Sequence, residues 1–385
     1  MSGACILLTA VEASADELAA SLIPALRQRL GSDTRFIGVG GAAMQRAGMT
    51  SAFDPSSMAV VGAANALGAF PMVLRRVREV AALARGEQPD VAVLIDSWGF
   101  SIRVAKALRA ASPGTLIIKY IAPQVWATRP GRARTLARAV DRLLTIHAFD
   151  APWFEAAGLA TDFVGNPALA PAKDLTAQAR DPATLLVLPG SRRGEVRRLM
   201  PAFGDAVRRL SETRPGLQVV VGAAPVVAEE VGRLAALWPR SADRIVSDEQ
   251  QRSGEMSRAT LALACSGTVT TQLAQAGCPM VVAYRLDSIT HAIAKRLIRT
   301  RYITLFNVAA GAFVATERVQ AECNGRTLAA DLGALLDDPS RRAAQSQAQL
   351  DAIELMRSGI ADPVASAADA IVSALKAQPR SSTGV

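Results

Sequence analysis

The chain has 385 residues, half of them hydrophobic and a fifth charged, with a net charge of +9 at neutral pH. That is too long for one average core, so two globular domains are expected. The positive balance asks for an anionic partner (nucleic acid, a phosphorylated substrate or an acidic membrane surface), although a merely solvated basic surface carries the same signature.

In chain order, MSGACILLTAVEAS lacks a basic leader region and reads as a first strand, 4–10, followed by a helix from Asp16 to Leu30. Strands follow at 35–41, 89–96, 115–123 and within 140–150, with a helix around residues 102–111. The stretch 166–183, rich in Pro and Ala, reads as a linker. A second series then runs through 184–190, 217–224, 243–247, 260–267 and 278–284. Apolar strands alternating with helices imply parallel sheets covered on both faces, and ligands of such sheets sit at the carboxyl ends of the strands. The expected class is α/β, with two Rossmann-like parallel-sheet domains facing a cleft. The expected domains are 1–168, 169–350, and a C-terminal helix with a polar tail, 351–385, packing on the first domain or on a partner chain.

Two turns carry the strongest chemical signal. TLLVLPG runs into Ser191 and Arg192 and then a charged helix, and TLALACS runs into Ser266, Gly267 and Thr268 and then another helix. A strand, a small-residue turn and a helix present backbone N–H groups to an anion, and a pair of such turns suits a diphosphate or nucleotide. Arg192 adds a planar fork of donors. Neither turn contains the Gly-Lys-Ser/Thr of a Walker loop, and 38-GVGG-41 lacks the dinucleotide spacing, which disfavours a nicotinamide cofactor. In the first half, Asp96 ends the strand PDVAVLID, where a carboxylate can serve as a general base or as an ordinary helix cap. Glu12 and Asp16, after the first strand, share that ambiguity.

Only two histidines are present, His147 and His291, and the cysteines (Cys5, Cys265, Cys278 and Cys323) are scattered without paired spacing. Disulfides and transition-metal sites are therefore not expected, and a reducing compartment is. No stretch is long and apolar enough to span a bilayer; the longest uncharged run, 58–74, is broken by Asn65 and Pro71. It leads directly into 75-RRVR-78, and the segment 292–302 repeats the apolar-and-basic theme. Either can touch acyl chains and anionic headgroups, or be a core-facing helix with a solvated end.

Taken together, EASAD (12–16), FIGVGGAAM (36–44), PDVAVLID (89–96), APQVWATR (122–129), FVGNP (163–167), LPGSRRGEV (188–196), the run 264–285, AKRLIRTRYITLFN (294–307) and VQAEC (319–323) resemble the lipid-A-disaccharide synthases. These are glycosyltransferases of the two-domain GT-B type, and the resemblance is collinear over nearly the whole chain. It implies an inverting, metal-independent and cofactor-free transfer from UDP-2,3-diacylglucosamine to 2,3-diacylglucosamine 1-phosphate, forming a β-1,6 linkage and releasing UDP. It also implies a cytoplasmic enzyme, peripheral on the anionic inner membrane of a Gram-negative bacterium, with a homodimer left open; sparse aromatics and the lack of a recognition motif disfavour a nucleic-acid partner.

By the same resemblance Asp96 is the base and Arg192 neutralises departing UDP. Ser191, Ser266, Gly267, Thr268, Gln272, Tyr284, Arg285, Asn307 and Glu317 are expected on the donor side, and Glu12, Ser14 and Asp16 around the acceptor. Val60, Val61, Leu67, Phe70, Leu74, Arg75 and Arg76 fall in the region expected to meet lipid. The chain departs from the family pattern at Val11, Ala15, Gly99, Asn166, Gln272, Ala312 and Phe313. Those departures keep two alternatives open: a GT-B paralogue using another UDP-sugar or lipid acceptor, and a non-catalytic UDP- or lipid-binding relative.

Overall fold

The computed structural model describes residues 3–59, 70–169, 181, 183–287, 290, 291, 298 and 300–378. It divides into two units, Met1–Ala170 with Ile360–Val385, and Pro171–Gly359. The final helix, Pro363–Ala377, thus belongs with the first unit, where it packs on the helix Ala13–Leu30 and Asp369 accepts from Arg29 at 2.6 Å.

The first unit holds a six-stranded, all-parallel sheet of β1 (Cys5–Thr9), β2 (Arg35–Val39), β3 (Val91–Ile95), β4 (Leu116–Tyr120), β5 (Arg142–Thr145) and β6 (Ala160–Phe163). Their order is β2-β1-β3-β4-β5-β6. Successive strand side chains point to opposite faces, so one strand feeds two cores. Ile6, Leu8, Val91, Val93 and Ile95 join the helices Ala13–Leu30 and Pro363–Ala377. Leu7, Ala92 and Leu94 join Phe100, Val104 and Leu108 of the helix Trp98–Ala111 on the other face. Burial on both faces is what makes VAVLI a continuous apolar run.

The second unit repeats the plan with β7 (Thr184–Leu188), β8 (Gln218–Gly222), β9 (Arg244–Val246), β10 (Leu261–Cys265), β11 (Met280–Tyr284) and β12 (Thr316–Val319), ordered β12-β11-β10-β7-β8-β9. All its pairings are parallel. The helix Arg193–Thr213 covers one face, burying Val196, Leu199, Met200, Phe203, Val207 and Leu210 at helical spacing.

Two strands were absent from the sequence expectation, β6 (ATDF) and β12 (TERV). Both are four-residue edge strands with mostly half-buried or exposed residues, so neither carries the apolar run that marks the interior strands. The expected linker lies mostly outside the described residues, which omit 170–180 and 182.

Candidate functional site

Each sheet has one topological switch point, where the chain leaves two neighbouring strands in opposite directions and opens a crevice at their carboxyl ends. In the second unit it lies between β7 and β10, and both small-residue turns meet there. Ser191, Arg192, Ser266, Gly267, Thr268 and Gln272 line one cavity of about 280 Å³, with Gly190, Glu195, Gly222, Arg252 and Cys265 completing its wall. Helices begin at Arg193 and Thr268, so unsatisfied backbone N–H groups and the positive ends of two helix dipoles are presented beside it.

The glycines are dictated by geometry. Gly190 has φ 109°, and a Cβ there would sit 2.9 Å from the Glu195 carboxylate. Gly267 has φ 154° and open space where a side chain would project, leaving the backbone bare on that side. Ser266 Oγ donates to Ile303 O at 2.9 Å, which anchors the turn. Arg192 is 80% exposed and pairs with the buried Glu195 at 3.0 Å. An incoming phosphate would compete with Glu195 for that guanidinium. Arg252, in the helix Glu249–Arg258, is a second cation at the wall, held by Glu249 at 2.8 Å and with its Nε buried and unpartnered.

In the first unit the switch point lies between β1 and β3. Glu12 follows β1 and Asp96 follows β3, so two carboxylates share this edge. Asp96 and Ser97 both have left-handed backbones, φ 47° and 41°. Two such residues in succession cost a few kcal/mol and persist only when their surroundings impose them. Lys119, fully buried on β4, supplies part of that constraint. Its Nζ donates to Leu94 O at 3.2 Å, Asp96 O at 2.8 Å and Tyr120 O at 2.8 Å. Ser101 Oγ also donates to Asp96 O, at 2.5 Å. The main chain of Asp96 is thus clamped, while the N-cap residue Ser97 makes no side-chain hydrogen bond to cap the following helix. Burial pulls the Lys119 ammonium down to about 7, against the pull of Asp96 and Glu12. The Glu12 carboxyl is raised by partial burial first and by Asp96 next, with Lys119 opposing.

The wall beyond β4 and β5 is aromatic. Trp126 meets Phe149 edge to face at 5.4 Å, and His147 stacks on Phe149 at 5.0 Å. Trp126 Nε1 donates to Asp150 at 2.9 Å. Burial pushes Asp150 up to about 7, the Trp126 bond opposing, and pushes His147 down to about 4.

Several expected residues are not among those lining the β7/β10 cavity. Asn307 and Glu317 are buried together: Glu317 accepts from Ile303 N, Thr304 N, Thr304 Oγ1 and Asn307 Nδ2, all at 2.7–2.9 Å. Every oxygen of that carboxylate is engaged, so the pair fixes the 303–307 segment that receives Ser266, in place of the expected direct donor contact. Arg285 spends its guanidinium on the carbonyls of Gln320 and Cys323, at 3.3 and 3.0 Å. Tyr284, half-buried at the end of β11, has its phenol raised by burial and then by Glu195. Asp16 accepts from Gly41, Ala43 and Met44 N at 2.7, 2.9 and 3.3 Å, so it caps the helix Ala42–Arg46, while Ser14 is exposed on the helix behind Glu12.

In the lipid-facing stretch, Val60, Val61 and Leu67 lie outside the described residues. Phe70 is exposed, Leu74 is half-buried, and Arg75 is exposed and paired with Glu79 at 3.0 Å. Arg76 departs from expectation. It pairs with Glu79 at 2.7 Å and stacks over Phe53 at 4.4 Å, which ties it to the protein's own surface. Most of 292–302 is likewise outside the described residues.

The departures have local reasons in part. Val11 and Ala15 are core residues. Asn166 Oδ1 accepts from Ala168 N at 3.0 Å, closing a turn. Gly99 is exposed, with only Arg103 near where a Cβ would lie. Phe313 packs edge to face on Tyr302 at 4.9 Å with the Arg301 guanidinium nearby, next to Ala312. Among the described residues no three His, Cys, Asp or Glu side chains converge as metal ligands would.

The residues missed from sequence are Lys119, Glu195 and Arg252. A lone lysine inside the apolar run TLIIKYIAP was a legible signal; Arg252, one of several polar residues in the helix EQQRSGEMSR, left none.

The family model described as lipid-A-disaccharide synthetase matches residues 6–371. A lipid-A-disaccharide synthase from Rhodospirillum centenum is 37% identical over 379 residues, covering 96% of this chain and 94% of the relative. Among solved structures, the S. aureus MnaA-UDP co-structure matches with a TM-score of 0.61 at 15% identity over 97% of this chain and 96% of that one. The calicheamicin glycosyltransferase CalG4 matches with a TM-score of 0.58 at 14% identity over 98% and 99%. The two-sheet architecture is thus the GT-B fold.

Proposed function

The chain belongs to the lipid-A-disaccharide synthase family, and from that premise we propose that it condenses UDP-2,3-diacylglucosamine with 2,3-diacylglucosamine 1-phosphate to the β-1,6-linked disaccharide 1-phosphate. The observation that carries the reading is the meeting of both anion-type turns around one cavity at the β7/β10 switch point. Ser191, Thr268 and the backbone of Ser266 and Gly267 hold the diphosphate of the donor, and Gln272 bonds a hydroxyl. Arg192 leaves Glu195 to meet the charge that grows on the departing UDP oxygen, where a fixed cation is worth most.

Asp96 is the base. Its carboxylate takes the proton of the acceptor 6-hydroxyl as that oxygen attacks C1 from the face opposite UDP. The new C–O bond forms as the bond to the phosphate oxygen breaks, and its electron pair leaves with UDP, which inverts the anomeric centre. Lys119 holds the main chain that aims Asp96, and Glu12 shares its edge. No helix among the described residues is long and apolar enough to cross a membrane. Access to acylated substrates is assigned to a peripheral contact around Phe70, Leu74 and Arg75 at the inner membrane.

The test is a discontinuous assay with both lipids in detergent and EDTA, read by mass spectrometry. A disaccharide 1-phosphate is the expected product. UDP binding without any disaccharide would overturn the reading in favour of a paralogue or a binding protein.

A further inference from the structure

The motif APQVWATR ends in an arginine that the reaction as described leaves unused. Arg129 follows β4 at the same carboxyl edge as Asp96, is exposed, and has a left-handed backbone, φ 51°. Three residues on, Arg132 lies half-buried in the helix Gly131–Ala137, with its guanidinium 5.0 Å from the centre of the Trp98 ring. Trp98 is the second residue after Asp96, so this cation is fixed beside the turn that carries the base. Burial first, and then the like charge of Arg129, lower the Arg132 pKa. Arg103, one turn along the helix from Trp98, adds a third cation; it donates to Gly99 O at 2.5 Å and lies 5.2 Å from the Phe70 ring. No ion pair among the described residues engages any of the three, so their guanidinium forks are open to an external anion.

We propose that Arg129 and Arg132, flanked by Arg103, form the subsite for a phosphomonoester, and that its occupant is the 1-phosphate of the acceptor sugar. The inference rests on the acceptor assigned above. Three features of the place fit that ligand. Guanidinium forks match phosphate oxygens in pairs. The aromatic rings of Trp98 and Phe70 hold two of the cations in fixed orientation, so less freedom is lost on binding. Phe70, exposed beside Arg103, gives an apolar neighbour suited to the acyl chains of the same molecule. Anchoring by the 1-phosphate leaves the exocyclic 6-hydroxyl, carried on C5, unengaged and available to Asp96.

The test compares 2,3-diacylglucosamine 1-phosphate with 2,3-diacylglucosamine lacking the phosphate, in detergent, for the wild type, Arg129→Gln and Arg129→Gln/Arg132→Gln. The exposed Arg129→Gln change is the safeguard against a variant that fails to fold. The wild type should prefer the phosphorylated acceptor in kcat/KM, and each variant should lose about tenfold or more of that preference, through acceptor KM, with donor KM and the rate on the dephosphorylated acceptor little changed. Equal losses on both acceptors would overturn the subsite and leave a structural role. Loss of sedimentation with phosphatidylglycerol vesicles while acceptor preference stays intact would overturn it in favour of a membrane headgroup contact. If the wild type turns over neither acceptor, the functional reading is what has failed. The subsite is then judged by equilibrium binding of the two lipids, where retained preference in the double variant overturns it and lost preference upholds it.

Discussion

The two switch points are built from different materials. At β7/β10 the site is largely main chain: two glycines with positive φ, two helix starts and a serine anchored on a carbonyl. At β1/β3 it is side chains gathered from separate segments: Glu12, the strained Asp96, the buried Lys119 of β4 and the arginines after β4. A diphosphate is recognised by N–H groups that any sequence of small residues can present, so its site is compact in the chain. The roles proposed at β1/β3, moving a proton and holding a sugar phosphate, need individual side chains, which the fold collects from distant segments.

The sharpest way to break this contrast is Asp96→Asn. Turnover should fall by about 10²–10⁴, measured as disaccharide formed per enzyme; a variant that keeps most of its activity would remove the base from the first unit. Arg192→Ala acts on the other side. It should lower kcat by about 10²–10³ and weaken UDP binding by calorimetry, and unchanged kinetics would take Arg192 out of the donor site. Gly190→Ala probes the main-chain construction itself. With φ 109° and Glu195 2.9 Å from the added Cβ, it should cost about 1–3 kcal/mol of stability and loosen UDP, whereas a neutral result in thermal unfolding and UDP titration would show that the turn needs no glycine.

The smallest effect concerns Asp150. Its carboxyl is raised from 3.8 to about 7 by burial. Such a group contributes stability that is fully present below its unfolded value and is lost as pH rises through the folded one. Wild-type stability should therefore decline across this window relative to Asp150→Asn, with a slope of up to about 1.4 kcal/mol per pH unit. His147, held down to about 4, gives the opposite slope in both proteins and cancels in the difference. Parallel urea-unfolding curves from pH 4 to 7 would show that Asp150 does not titrate there.

The same contrast explains what was legible. PDVAVLID and TLALACSG announce interior strands because both faces are buried, and the turns after β7 and β10 stand out as candidate anion sites, lining one cavity, because their chemistry is contiguous in the chain. ATDF and TERV did not announce β6 and β12, since an edge strand meets solvent and keeps polar residues. Asn307, Glu317 and Arg285 were placed at the donor by family likeness. A motif position says that a residue matters, not whether it touches ligand or holds the loop that does, and here their hydrogen bonds are internal. The Asp96–Lys119 clamp joins the residue after β3 to one on the neighbouring β4, 23 positions apart, which only the sheet order brings together.

The division of labour between the two switch points is tested most directly by titrating UDP into Asp96→Asn by calorimetry, using the preparation whose turnover has been shown to be lost. UDP affinity equal to that of the wild type is expected, because the residues lining the cavity proposed for the donor belong to the second unit. Loss of UDP binding together with turnover would contradict that separation.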